Sequence, residues 1–336
     1  TTLRALAEML RDEYYVVVLD FQTFDNEKFS NGNVFSVAFA GSFLRVLRRN
    51  CKTMNNEMAS VIDEMRKDAD YANRYFSLKE LFEGLSDICE AADRKIVLMI
   101  DEVDSAANNQ VFIDFLAQLR AQYLDREFYP GFQSVILAGV YDIKNLKRKL
   151  RPEEGHRYNS PWNIAADFSI EMSFSESEIA GMLQEYESDH RTGMNISKMS
   201  ELLYAYTAGY PFLVSRICQL MDERVRDEYE NLKLVWTENG FNEAVRILLA
   251  EKNPLFESLV GKICDYPELS VMLKTLLFTG RNIAYNPDET SIDMAQMFGF
   301  IKNQNGNVVI ANRIFETRLY NYYLTEAKMQ QTEIYK

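Results

Sequence analysis

Histidine is nearly absent: there are two in 336 residues, with four cysteines and no Cys-x-x-Cys pair. A Cys/His zinc site needs several such ligands at short spacing, so this composition argues against one. Cys51, Cys89, Cys218 and Cys264 lie far apart in apolar helical stretches and are expected to be buried free thiols. No Gly-x-Ser-x-Gly elbow is present, and neither His156 nor His190 has a serine and an acid grouped with it, which excludes a serine-esterase design. A phosphatase built on Leu19-Asp20-Phe21 needs Asp-x-Asp, and Gln22 stands at the second position. The chain also lacks a long apolar run of membrane-spanning length and a signal-peptide pattern. The expectation is a soluble, cytoplasmic protein with no membrane contact. The phosphate-binding motif Gly-x-x-x-x-Gly-Lys-Ser/Thr occurs nowhere.

Acidic residues outnumber basic ones, 50 to 37, for a net charge of −13. Such a chain repels a phosphate backbone unless its cations gather on one face. The densest basic stretch, Lys144, Lys147, Arg148, Lys149 and Arg151, reads as a solvated helix face. Arg281, Lys302, Arg313 and Arg318 are scattered, so tight binding to nucleic acid is not expected. The length exceeds one ordinary core and points to two or three domains.

Helices and strands alternate in the first half. Leu3, Leu6, Ala7 and Leu10 follow helical spacing. Residues 15–21 (YVVVLDF), 95–100 (KIVLMI) and 134–140 (SVILAGV) are continuous apolar runs of strand length, the signature of a parallel sheet buried on both faces. Residues 167–172 are expected to add a fourth strand. Helices are predicted at 34–49, 78–92 and about 109–124, the second opening with the capping box Ser77/Glu80. After Phe174 the strands stop. Ser175 and Glu178 form another capping box, and helices run to about residue 251 with a break at 205–211 (AYTAGYP). The end of the chain is helical except for two short apolar segments flanking Asn305-Gly306, a hairpin-turn signal. The expected domains are 1–174, an α/β parallel-sheet core; 175–252, a helical lid; and 253–336, a winged-helix-like module.

Chemistry concentrates at residues 96–104, IVLMIDEVD. An apolar run ending in Asp-Glu is a Walker B strand: the buried strand fixes the first carboxylate at its C-terminal end, where open α/β sheets bind ligands. Asp101 would hold Mg²⁺ and Glu102 would polarise the attacking water. The neighbouring strand ends at Gly139-Val140-Tyr141-Asp142, and Asp142 is the nearest polar side chain for a γ-phosphate sensor; it also suits a helix N-cap. The opening Thr1-Thr2-Leu3-Arg4-Ala5-Leu6 is the sort of sequence that follows Gly-Lys in a phosphate-binding loop, so either Thr1 or Thr2 is a candidate Mg²⁺-binding hydroxyl.

The order of these segments resembles the bacterial AAA-like P-loop ATPases related to the archaeal-ATPase and STAND groups, over nearly the whole chain. Gly209-Tyr210-Pro211 matches the Gly-x-Pro motif of STAND-type lids, whose proline packs against adenine. The resemblance implies a P-loop core whose first strand and loop would precede Thr1, with ATP and Mg²⁺ as cofactors. It implies nucleotide contacts at Thr1, Thr2, Gly209 and Pro211, and at Arg216 as a lid arginine, for which a surface arginine is the alternative reading; Arg151, Arg157 and Trp162 are placed near the site by their position in the loop before the fourth strand. ATP hydrolysis would drive or gate a conformational change, with a protein partner or self-association. The alternative is a non-catalytic adapter that keeps the fold as an interaction module. The 336 residues by themselves are expected to bind ATP weakly and to be inactive.

Overall fold

The run Tyr15–Asp20 forms β1, and the run Ile96–Asp101 forms β2. They pair in parallel, residue for residue from Tyr15↔Ile96 to Asp20↔Asp101. The third strand, β3, Ser134–Leu137, joins the other side of β2, giving the order β1-β2-β3. The computed structural model describes residues 2–51, 54–106, 109–139, 172–226 and 232–334. Residues 167–171, where most of a fourth strand is expected, lie outside that set.

Strand alternation sorts the sheet into two faces. Tyr15, Val17, Leu19, Ile96, Leu98 and Ile100 belong to a large core shared with four helices: α2 Gly32–Asn50, α3 Asn56–Asp68, α4 Leu78–Ala91 and α5 Gln110–Leu124. Val16, Val97 and Met99 face the other way and pack on α1, Thr2–Leu10, through Leu3, Leu6, Ala7 and Leu10. Burial on both faces explains why β2 has no polar residue before Asp101. Each of its apolar side chains contributes roughly 1.5–3 kcal/mol relative to exposure. The expected strand at 134–140 is shorter than predicted because β2 turns away at Glu102. Ala138 still donates to the Ile100 carbonyl (2.9 Å), and its own carbonyl accepts from the Val103 amide at 3.1 Å.

The first core is rich in phenylalanine. Phe21, Phe35, Phe39, Phe112 and Phe115 are fully buried, with tilted and edge-on ring contacts at centroid distances of 4.9–6.5 Å. The thiols of Cys51 and Cys89 lie in or against this core, and burial pushes both up to about 12. Cys264 departs from expectation. It is exposed, its sulfur 3.7 Å from the Tyr322 hydroxyl.

The chain divides into two compact units, Thr1–Asp167 and Phe168–Lys336. Within the second, α6 Glu176–His190 opens with the expected capping box, Ser175 N–H to Glu178 at 2.8 Å. Then come α7 Ile196–Thr207, α8 Pro211–Leu220 and α9 Glu238–Ala250. They are followed by α10 Pro254–Asp265, α11 Pro267–Phe278 and α12 Thr290–Met297. A hairpin of β4 Ile301–Gln304 and β5 Asn307–Ile310 turns at Asn305-Gly306, both with positive φ (53° and 81°), and α13 Arg313–Ile334 closes the fold. One core runs through both the predicted lid and the segment after it, from Ile179 to Tyr323. Among the described residues no helix is long and apolar enough to cross a membrane.

Two glycines in this unit have opposite roles. Gly209 has φ 75°, and a β carbon there would lie 1.9 Å from the Phe174 carbonyl oxygen, because Phe174 N–H donates to Gly209 O at 2.8 Å. Gly181 lies inside α6 with nothing within 4 Å of such a carbon. Gly209→Ala is expected to destabilise the protein by roughly 3 kcal/mol or more, since the clash is with backbone that cannot rotate away. Gly181→Ala should stabilise it by roughly 0.5–1 kcal/mol. Urea denaturation of the two variants checks the contrast, and similar midpoints would refute it.

Candidate functional site

The three strands deliver their C-terminal ends to one edge of the sheet. By alternation Asp101 follows Val97 and Met99 onto the α1 face, and Asp20 follows Val16 and Val18 onto the same face. The register makes Asp20 and Asp101 direct neighbours. Asp20 is exposed and caps the short turn Phe21–Thr23, accepting from Gln22 N–H at 2.8 Å. Residues 11–14 connect α1 to β1, and Leu3, Leu6, Ala7 and Leu10 pack the helix on the face that carries Val16, Val97 and Met99, with Thr2 at the helix's N-terminal end. Thr2 is exposed there. Thr1 lies outside the described residues.

Glu102 is exposed and breaks the strand with a left-handed backbone, φ 55° and ψ 41°. Its amide donates to Asp101 Oδ1 at 3.0 Å. Its carbonyl accepts from Ser105 Oγ (2.8 Å) and the Ser105 amide (3.1 Å), closing the turn Val103–Ser105. Val103 is buried and pins this turn to the end of β3 through Ala138. Gly139 follows, and a β carbon there would meet Asp104 Oδ2 and Val103 Cγ2 at 2.8 Å. The tip of β3 therefore passes close beneath the acidic turn.

Among the described residues no three His, Cys, Asp or Glu side chains converge as a metal cage. Mg²⁺ is commonly held by one or two carboxylates together with substrate phosphates and water. Asp101 suits that arrangement: it is half-buried and rigidly mounted, and among the described residues only one of its oxygens accepts a hydrogen bond.

In the second unit, Gly209-Tyr210-Pro211 forms a tight helix-to-helix turn. Ala208 and Gly209 both have positive φ, Pro211 is the first residue of α8, and Tyr210 packs edge-on against Phe315 at 5.5 Å. Pro211 is half-buried. Arg216 is engaged by Glu251 through two hydrogen bonds, 2.7 and 3.0 Å. A phosphate would have to compete with that carboxylate. Asp142, Arg151, Arg157 and Trp162 lie outside the described residues.

Sequence reading weighs Asp20 only as part of a rejected phosphatase motif and assigns no role to Asp104 or Ser105. The signal for Asp20 is present: aligning YVVVLD with IVLMID end to end puts the two aspartates level. The approach of Gly139 to Asp104 is a tertiary contact that neither segment announces.

A parallel sheet covered on both faces by helices, with acids at its C-terminal edge, is an open α/β architecture, which binds its ligands at that edge. Residues 2–326 match the AAA-like domain, and the chain belongs to that family. Its fold is shared with a Walker-type ATPase of Pyrococcus abyssi at 13% identity, covering 95% of this chain and 87% of that one, with a TM-score of 0.59. The RuvB Holliday junction branch migration motor of Thermotoga maritima also matches, at 11% identity over 94% and 92% of the two chains, with a TM-score of 0.34. A mutant of that motor gives 9% identity, 94% and 91% coverage and the same TM-score, 0.34. No curated protein matches the chain.

The Arg216–Glu251 pair makes a pH-dependent prediction. Hydrogen bonding from Arg216 holds the Glu251 carboxyl below the ordinary glutamate range, against the opposing effect of burial. A carboxyl depressed on folding adds stability above its unfolded value and loses it as pH falls through its folded value. Arg216→Ala is therefore expected to cost about 1 kcal/mol at neutral pH. The deficit should shrink as pH drops through and below 4.5. Chemical denaturation at about pH 7 and about pH 3.5 measures the difference, and a deficit that is the same at both would count against the pair.

Proposed function

We propose that the protein binds ATP with Mg²⁺ at the C-terminal edge of the β1-β2-β3 sheet and hydrolyses it to drive or gate a conformational change. The observation that carries this reading is the end of β2, where Asp101 is fixed by the sheet and Glu102 is thrown outward by a left-handed turn. Family membership and the shared ATPase fold support it.

In this reading Asp101 would hold Mg²⁺, which supplies charge neutralisation on the phosphate oxygens when bound. Thr2, at the N-terminal end of α1, would add a hydroxyl, and the helix end favours an anion. Glu102 accepts the proton of the attacking water as general base. Asp20, level with Asp101, contributes a second negative charge that favours cation over anion at that edge. Gly209 and Pro211 belong to a STAND-like lid whose proline packs on the base, with residues 253–336 as a winged-helix-like module downstream. The phosphate-binding motif is not among the 336 residues, and activity is measured on the full-length protein.

Glu102→Gln removes the proton acceptor and keeps size and polarity. It is expected to retain ATP binding and to lose turnover by roughly 10²–10⁴-fold. Asp101→Ala should instead weaken Mg²⁺-dependent binding. Wild-type turnover in Glu102→Gln would remove the general-base role of Glu102, and no ATP turnover in the unsubstituted protein would leave the non-catalytic adapter reading in place. Pro211→Ala separates ligand contact from helix initiation: weaker nucleotide affinity with unchanged melting supports the lid contact. A lower melting point with unchanged affinity assigns the proline to helix start alone.

A further inference from the structure

Glu102 occupies a backbone region that residues with a β carbon seldom adopt, φ 55° and ψ 41°. Such a conformation persists only where its surroundings over-determine it. Four hydrogen bonds do so here. The Glu102 amide donates to Asp101 Oδ1 (3.0 Å), and the Val103 amide donates to the Ala138 carbonyl (3.1 Å). The Glu102 carbonyl then receives the Ser105 amide (3.1 Å) and the Ser105 hydroxyl (2.8 Å). Two of the four are backbone to backbone, and one uses the neighbouring acid. The remaining one is the side chain of Ser105.

Ser105 is exposed and fills no part of the core. Its hydroxyl reaches back three residues to a carbonyl, a local bond for which serine and threonine are suited. We infer that Ser105 is a positioning residue for Glu102: its hydroxyl locks the left-handed turn and so fixes where the Glu102 carboxylate stands relative to Asp101. The inference rests on Glu102 acting as the general base. Continued as a strand, positions 101 and 102 would point to opposite faces of the sheet. The locked turn ends that alternation and leaves both carboxylates at the strand's C-terminal end. With the hydroxyl removed, the turn keeps its backbone bonds but loses one of two donors on the Glu102 carbonyl, and the carboxylate samples unproductive placements.

The test is single-turnover ATP hydrolysis and nucleotide affinity in the full-length protein. Ser105→Ala should slow hydrolysis by roughly 10–10²-fold, the scale of a small misplacement of a catalytic group, with nucleotide affinity unchanged. Ser105→Thr keeps the hydroxyl and should restore the rate, and Ser105→Cys, with a weak donor, should fall between. Because Ser105 acts only through Glu102, adding Ser105→Ala to Glu102→Gln should slow the residual rate no further. A normal rate in Ser105→Ala with a slow Glu102→Gln would overturn the positioning role alone. So would an equal further loss in the double variant, which would mark a general structural defect. Wild-type turnover in Glu102→Gln would remove the general-base reading instead, and the inference with it. If Ser105→Ala does not fold, a Ser105→Cys rate equal to that of Ser105→Thr overturns the inference.

Discussion

The register of β2 between its two neighbours is the constraint from which the rest of the first unit follows. Five consecutive buried apolar residues leave β2 no freedom to slide, because a slip of one residue would exchange its two faces. Ile100 would then leave the phenylalanine core, and Asp101 would be driven into it. Burying an unpaired carboxylate costs several kcal/mol, so the core selects one register strongly. The level placement of Asp20 beside Asp101, and of Ala138 beside the turn at Glu102, comes from that selection. The accuracy of the acidic edge is set by hydrophobic packing some residues away from it.

The same logic operates on a smaller scale in the second unit. There the fixed point is the crossing of residue 174 over Gly209, which admits no β carbon. It ties the start of α6 to the turn before α8. Tyr210 then carries that turn to Phe315 on α13. A displacement of the turn at Pro211 would therefore be felt at the N-terminal part of α13 through one ring contact. Nothing comparable is needed at Gly181, where the helix surface is open.

Much of the fold is legible in the sequence, and the reasons are physical. The strands announce themselves because a sheet covered on both faces demands unbroken apolar runs. The capping boxes at Ser77 and Ser175 and the hairpin at Asn305-Gly306 are local chemistry, and all three form as expected. α3 escapes a sequence reading although Met58, Ile62 and Met65 follow helical spacing behind the N-cap Asn55, because most of its remaining residues are polar and dilute the pattern. Cys264 reads as buried from its apolar neighbours, yet it falls on the outer side of α10 while Leu259 and Ile263 face inward. Arg216 has a sequence-distant partner, Glu251, that no local pattern discloses. In the acidic site the residue types are legible at Asp101 and Glu102. The left-handed backbone is not, since nothing about a glutamate predicts it.

That backbone bears on how the proposed activity and the stability of the fold oppose each other. A left-handed glutamate costs roughly 1–2 kcal/mol relative to glycine at the same place, and asparagine would also fit it better. The turn after β2 could be built without strain by either residue, and the ladder bond from Val103 to Ala138 would survive. Neither residue offers a carboxylate. The strain is sustained because the hydrogen bonds around Glu102, each worth roughly 0.5–1.5 kcal/mol, together outweigh it. Two of those bonds depend on the side chains of Asp101 and Ser105. The first acid is thus part of what holds the second in place, so removal of the Asp101 carboxylate would disturb Glu102 as well as any bound cation. Under the proposed reading the two acids form one mechanical unit, anchored below by the sheet and closed above by a serine.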